Sequence, residues 1–189
     1  MAKIGIIVDG QGDFAAVKRR LGSTCKILKT DGPRGHTVTI AELARGSRKQ
    51  INMLRFFGCA GAVVMTDFEQ RREPYSKFVS QLALELNKQG FGFNVCPAVP
   101  NTMIENWYLA DVEQLSRKRS YIKSTLSQRP YEGKHGKREL KQVFKKGESY
   151  SEVKHGPELF CTIRFSIAQG NSASFKRFVS CIGASRTRR

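Results

Sequence analysis

What this sequence does without narrows its function before anything else is read. No run of about 18 apolar residues occurs, which excludes a helical membrane span. No GxxxxGK[ST] stretch occurs either, and "GPRGH" at 32–36 has its glycines at the wrong spacing for a phosphate-cradling loop, so an ATPase of that kind is excluded. Five cysteines (Cys25, Cys59, Cys96, Cys161, Cys181) lie scattered, without CxxC spacing. That pattern argues against a zinc site and predicts reduced thiols in a cytoplasmic protein. His155 has no accompanying Ser or Cys nucleophile motif, so a triad hydrolase is not indicated. "MAKIGIIVDG" enters an apolar run at once without a cleavage-site pattern, and no signal peptide is expected. Internal repeats and low-complexity segments are missing as well.

Acid is scarce beside base: 16 Asp and Glu stand against 33 Lys and Arg, for a net charge of +17 in 189 residues. The excess is uneven, since residues 1–111 hold 15 basic and 10 acidic side chains and residues 112–189 hold 18 and 6. A basic half of this kind attracts phosphate-rich polymers by Coulomb steering and counterion release, which points to nucleic acid, DNA or RNA, as partner. With 40% hydrophobic residues the chain has enough apolar material for a real core.

Short apolar runs alternate with helical patterns through residue 111. "KIGIIV" (3–8), "CKILKT" (25–30), "AGAVVMT" (60–66) and "FGFNVCPAV" (91–99) predict strands, the first buried on both faces. Between them, helices are predicted over "FAAVKRRL", over residues 38–57 as one long helix, and over "YSKFVSQLALELNKQG"; "MIENWYLAD" follows as another. Such alternation implies an α/β fold with a mostly parallel sheet flanked by helices. Residues 117–156 are basic, loop-rich and poorly periodic. "SASFKRFVSCIG" predicts a last helix packing back through Phe175, Phe178, Val179 and Ile182, before a loose tail at 184–189. The expected organisation is a core at 1–111 and a basic C-terminal extension at 112–189 packed on it.

In so acid-poor a chain, the placement of the acids carries information. Asp9 and Asp13 follow the first strand, Asp67 and Glu69 the third, and Glu105 comes just after the fourth on a helix that also carries Asp111. Carboxyl ends of parallel strands are where open α/β sheets place their sites. Residues 67 and 69 point to one side in an extended segment. Clustered oxygen donors without His or Cys suit Mg²⁺ or Mn²⁺, and a divalent ion relieves the repulsion between them. Lys154 is a candidate for stabilising charge on a transferring phosphate. Plainer roles stay open for each. Asp67 and Glu69 could cap the next helix, Asp9-Gly10 could be a tight turn, and Asp13 could be a helix N-cap. Glu105 could pair with an Arg, and Asp111, near a helix end, needs a partner.

"IIVDGQGDFAAVKRRL", then "TDG" and "VVMTDFE", resemble the Toprim domain of bacterial primases, type IA and II topoisomerases, OLD-family nucleases and small ribosomal-RNA maturation nucleases. "PNTMIENWYLAD", "YSEVKHG" and "SASFKRF" resemble segments of small stand-alone Toprim-like proteins, related to OLD nucleases and linked with bacterial defence against phage. Asp9 stands where those proteins usually carry Glu, and Glu69 where they carry a second Asp. The resemblance implies a Toprim-like (Rossmann-like) fold and Mg²⁺-dependent phosphodiester cleavage. In it, Asp67, Glu69 and Glu105 hold metal and Asp9 acts as base or ligand. A protein partner or homodimer is expected as well. The rival reading is a catalytically silent Toprim-like module that binds nucleic acid or assembles a complex. Too little chain is present for the accessory domains of a topoisomerase or primase.

Overall fold

In the computed structural model, residues 3–33 and 35–187 are described, side chains through Gly183. Four strands, β1 (Ile4–Val8), β2 (Cys25–Lys29), β3 (Gly61–Met65) and β4 (Asn94–Ala98), form an all-parallel sheet in the order β2-β1-β3-β4. Helix α1 (Gln11–Leu21) links β1 to β2, and α2 (Ile40–Gly46) and α3 (Arg48–Phe56) link β2 to β3. Helix α4 (Tyr75–Asn87) leads to β4. The α/β class expected from the alternation, Rossmann-like and Toprim-like in its parallel sheet, is what the chain adopts.

The two inner strands are buried on both faces, which is why they read as unbroken apolar runs. Their side chains alternate between two cores. Ile4, Ile6, Val8, Val63 and Met65 enter one, while Ile7, Ala62 and Val64 enter the other. Leu43, Ile51, Leu54, Phe78 and Leu82 of α2, α3 and α4 complete the second core. The first is completed by α1 and by the C-terminal half: α5 (Glu105–Leu109), α6 (Val112–Lys118), α7 (Gly136–Val143), α8 (Glu152–Thr162), α9 (Phe165–Asn171) and α10 (Ala173–Thr187).

Three local expectations need correction. The helix predicted over 38–57 is interrupted at Ser47, whose hydroxyl donates to Leu43 O at 3.0 Å. Such back-bonding competes with the backbone ladder and bends helices. The poorly periodic stretch 117–156 contains α7 and the start of α8. Of the four residues that α7 buries, only Leu140 and Val143 carry large apolar side chains, too few to register as a period. The five cysteines are not all reduced thiols, because Cys96 of β4 and Cys181 of α10 are joined as a disulfide. A separation of 85 residues conceals that pairing in the sequence. Helix α10 does pack back, with Phe175 and Phe178 fully buried and Phe178 stacked on Trp107 at 4.8 Å. The tail expected to be loose, 184–189, lies outside the residues whose side chains are described.

Candidate metal centre at the strand ends

The chain leaves β1 toward β2 on one side and β3 toward β4 on the other, so the strand order reverses between β1 and β3. At such a switch point the loops splay apart and open a crevice beyond the carboxyl ends. In-register pairing of Ile7 with Val64 carries Asp9 alongside Thr66, and the Thr66 hydroxyl donates to Asp9 Oδ2 at 2.9 Å. A cavity of about 270 Å³ opens here, lined by Asp9, Asp13, Asp67, Glu69, Glu105 and Glu152, together with Lys137.

Each wall has its own cause. Gly10 caps α1 with extended backbone and contributes no side chain. A Cβ there would lie 2.9 Å from Asp13 Oδ2, so glycine is what lets the Asp13 carboxyl fold back over the turn. Glu105 is delivered by the α5 turn, which is clamped on both sides. Asn106 donates to Lys134 O at 3.0 Å, and the Trp107 indole donates to the Ser174 hydroxyl at 2.8 Å. Lys137 arrives because α7 begins with a glycine. A Cβ on Gly136 would meet Asn106 Oδ1 at 2.6 Å and Glu105 Cβ at 2.9 Å, and would push the helix off α5.

Among the described residues, six carboxyl groups against one ammonium make the site electrostatically unbalanced. Burial, then the carboxylates of Asp9, Glu105 and Glu152, push the Asp13 carboxyl up to about 8. Burial, with Asp13, Asp9, Glu105 and Glu69 nearby, holds Asp67 well above the usual carboxylate range. Glu105 is 1% exposed, and its carboxyl is raised chiefly by that burial, although Lys137 and the Tyr150 hydroxyl work the other way. For Lys137, burial by itself would lower the pKa. A 2.8 Å ion pair with Glu152 and the fields of Glu105 and Glu69 outweigh it and bring the ammonium to about 12. These values describe the metal-free site.

Two oxygens single out the direction in which the cluster is unsatisfied. Asp67 Oδ1 and Glu105 Oε2 are sealed from water and accept no hydrogen bond. Glu105 Oε1, by contrast, accepts from Tyr150 at 2.9 Å. Orphaned buried carboxylate oxygens in an all-oxygen donor set fit a hard divalent cation, which would take up both. Among the described residues no three His, Cys, Asp or Glu side chains already form a ligand sphere, so loading requires rotamer adjustment within the cavity.

Of the residues singled out by sequence, Asp9, Asp13, Asp67, Glu69 and Glu105 come together. Asp111 does not. It is 1% exposed and accepts from Arg164 Nη2 at 2.7 Å, Nε at 2.9 Å and backbone N at 2.8 Å, a structural pair in place of metal ligation. Lys154 is also corrected: it is exposed in the first turn of α8 and does not line the cavity. Helical phase explains this, because Glu152, two residues earlier, takes the inward position. His155 is buried against Tyr121, Phe144 and Tyr150, its Nδ1 accepting from Ser151 N at 3.0 Å. The capping roles also fall away. The next helix after Asp67 starts at Tyr75, the α1 N-cap is Gly10, and among the described residues no Arg is bonded to Glu105. Sequence reasoning missed Lys137, Glu152, Thr66 and Tyr150. Only Glu152 carried a signal, as the acid that follows an N-cap serine, Ser151.

The fold and the site together define an α/β protein with an acidic, oxygen-donor pocket at the switch point of a parallel sheet. Residues 3–182 match the family described as "Domain of unknown function (DUF4276)", and the chain belongs to that family. No curated protein and no solved structure matches it.

Proposed function

We propose that the protein cleaves phosphodiester bonds in DNA or RNA with the help of Mg²⁺ or Mn²⁺. One observation carries the reading. In a chain of net charge +17, six carboxyl groups and a single ammonium line one cavity among the described residues, and two of the buried carboxyl oxygens have no partner among those residues. The resemblance of "IIVDGQGD" and "VVMTDFE" to Toprim nucleases supports it and extends it to bacterial defence; a cytoplasmic setting and a protein partner or homodimer complete the reading.

Asp9, Asp67, Glu69 and Glu105 are the residues that would hold the ion. When bound, such an ion supplies Lewis-acid polarisation of a phosphoryl oxygen and an acidified water. The chain's own groups do the rest. Lys137, ion-paired with Glu152 in the cavity lining, offsets phosphate charge. The first turn of α1 presents backbone N–H groups at the positive end of an eleven-residue helix, beside Gly10 and Gly12 of the cavity lining. Asp13 lines the cavity beside the candidate ligands, its carboxyl folded back over the Gly10 turn. Thr66 fixes the rotamer of Asp9.

The test is incubation with single- and double-stranded DNA and with RNA, in Mg²⁺, Mn²⁺ or EDTA. Cleavage is expected with metal and not with EDTA. Asp67→Ala should abolish it while binding persists, because removing a carboxylate beside the phosphate relieves repulsion. The second reading, a catalytically silent binding module, draws on the lack of a ready-made ligand sphere among the described residues. Substrates that stay intact with both metals while still bound would establish it over the first.

A further inference from the structure

From the cavity mouth a row of basic side chains runs outward along α7. Lys137 faces the carboxylates, and Arg138, next to it, faces solvent. Arg138 and Lys141 lie three residues apart on the outer face of α7, Lys134 and Lys145 flank the helix just before its N-cap and just after its C-cap, and all four are exposed. Lys146 is exposed beside them. Among the described residues Arg138, Lys141, Lys145 and Lys146 have no carboxylate partner, whereas elsewhere Lys49, Lys88 and Arg117 are each paired with one. The acid of α7, Glu139, turns inward to Arg129 at 3.0 Å, which leaves Glu148 as the exposed carboxylate of this stretch.

The same region offers no platform for a base. No Phe, Tyr or Trp lines the cavity. Tyr131 beneath Lys134 is 3% exposed, with Arg129 and Lys134 over its ring. The strongly exposed aromatics, Phe56 and Phe57, sit at the end of α3, whose Ile51 and Leu54 pack on the opposite face of the sheet. Single-strand binders pair a cationic groove with exposed aromatic rings. Here the cations are present without the rings.

We infer that the outer face of α7, centred on Arg138 and Lys141, is a docking surface for the phosphate backbone of duplex nucleic acid, read by charge and not by base. This rests on the reading of the protein as one that acts on nucleic acid, and it names the strandedness and the surface. Unpaired cations at helical spacing gain from counterion release on a polyphosphate. Continuity through Lys137 lets a phosphate held on α7 reach the acidic cavity.

The experiment measures binding in EDTA by fluorescence anisotropy, which separates it from cleavage. Probes are two duplex DNAs of unrelated sequence, a duplex RNA, and the corresponding single strands. The variants are R138E/K141E and the milder R138Q/K141Q. The control is R48E/K77E, which reverses two exposed cations on α3 and α4 and matches the charge change. R138E/K141E should weaken duplex binding at least about tenfold at about 0.1 M salt and reduce the log–log salt slope by about 1.8, from about 0.9 per phosphate contact. R138Q/K141Q should lower the slope similarly with a smaller loss, the control should stay within about twofold, and both duplex sequences should behave alike. Equal losses in the α7 and control variants, or tighter binding of single strands than duplexes, overturn the inference. If the wild type cleaves with metal yet R138E/K141E binds as well as wild type, the surface is wrong and the nuclease reading stands. If the wild type binds duplex through α7 and cleaves nothing, the surface stands and the nuclease reading falls.

Discussion

Asp13→Asn isolates the electrostatic load of the cavity. Burial and the neighbouring carboxylates push the Asp13 carboxyl from an ordinary value of about 3.8 up to about 8, so the folded state holds a proton that the unfolded state has released between those limits. The sign follows from proton linkage: the contribution of this group to stability is fullest below about 3.8 and is lost as pH rises toward about 8. Between about pH 5.5 and pH 8 the loss has an upper bound of about 3 kcal/mol, at about 1.36 kcal/mol per pKa unit. Asp13 is part-exposed at the mouth of a solvent-filled cavity, and screening reduces this to about 1.5 kcal/mol. For a domain of this length that is about 3–6 °C in Tm. The assay compares wild type and Asp13→Asn by thermal melting in EDTA at both pH values. Comparison cancels the background from the large positive charge, which weakens its own repulsion as pH rises. The variant should gain about 3–6 °C relative to wild type on going from pH 5.5 to pH 8. Mg²⁺ should raise the wild-type Tm more at pH 8 than at pH 5.5, since an ion competes with the proton for the same oxygens. A Tm difference between the two proteins that is the same at both pH values would refute the placement of Asp13 among uncompensated carboxylates.

Three further perturbations separate structural from functional side chains. Asp111→Ala should destabilise the fold by about 3 kcal/mol in urea titration, because it strips Arg164 of a buried, three-bonded partner, while calorimetric Mg²⁺ binding stays as in wild type. Tyr150→Phe removes the hydroxyl that donates to Glu105 Oε1, while Oε2 already has no partner among the described residues; about 1–2 kcal/mol of stability should be lost in EDTA, and part of it should return on adding Mg²⁺. Lys154→Ala should change stability by less than about 0.5 kcal/mol and leave cleavage intact, whereas Lys137→Ala should lower cleavage by about tenfold or more in a single-turnover assay.

Local pattern in the sequence determined the elements of the first half and the position of the main acids. "KIGIIV" and "AGAVVM" can only be strands buried on both faces, and an acid directly after such a strand must lie at the sheet's carboxyl edge. Hence Asp9, Asp67 and Glu105 were legible as a group, and Asp13 and Glu69 came with them by adjacency. What the tertiary structure decided was every feature set by long-range packing. Asp111 has the same chemistry and nearly the same sequence context as Glu105. The two differ because α9 brings Arg164 to the one and α7 brings Lys137 to the neighbourhood of the other. Lys137 and Lys154 are indistinguishable as lysines in a basic stretch; only the close seating of Gly136 on α5 turns the first inward. Cys96 and Cys181 meet because α10 packs on β4. Periodicity reports which face of an element is buried, and it carries no information on which distant side chain will lie across from it.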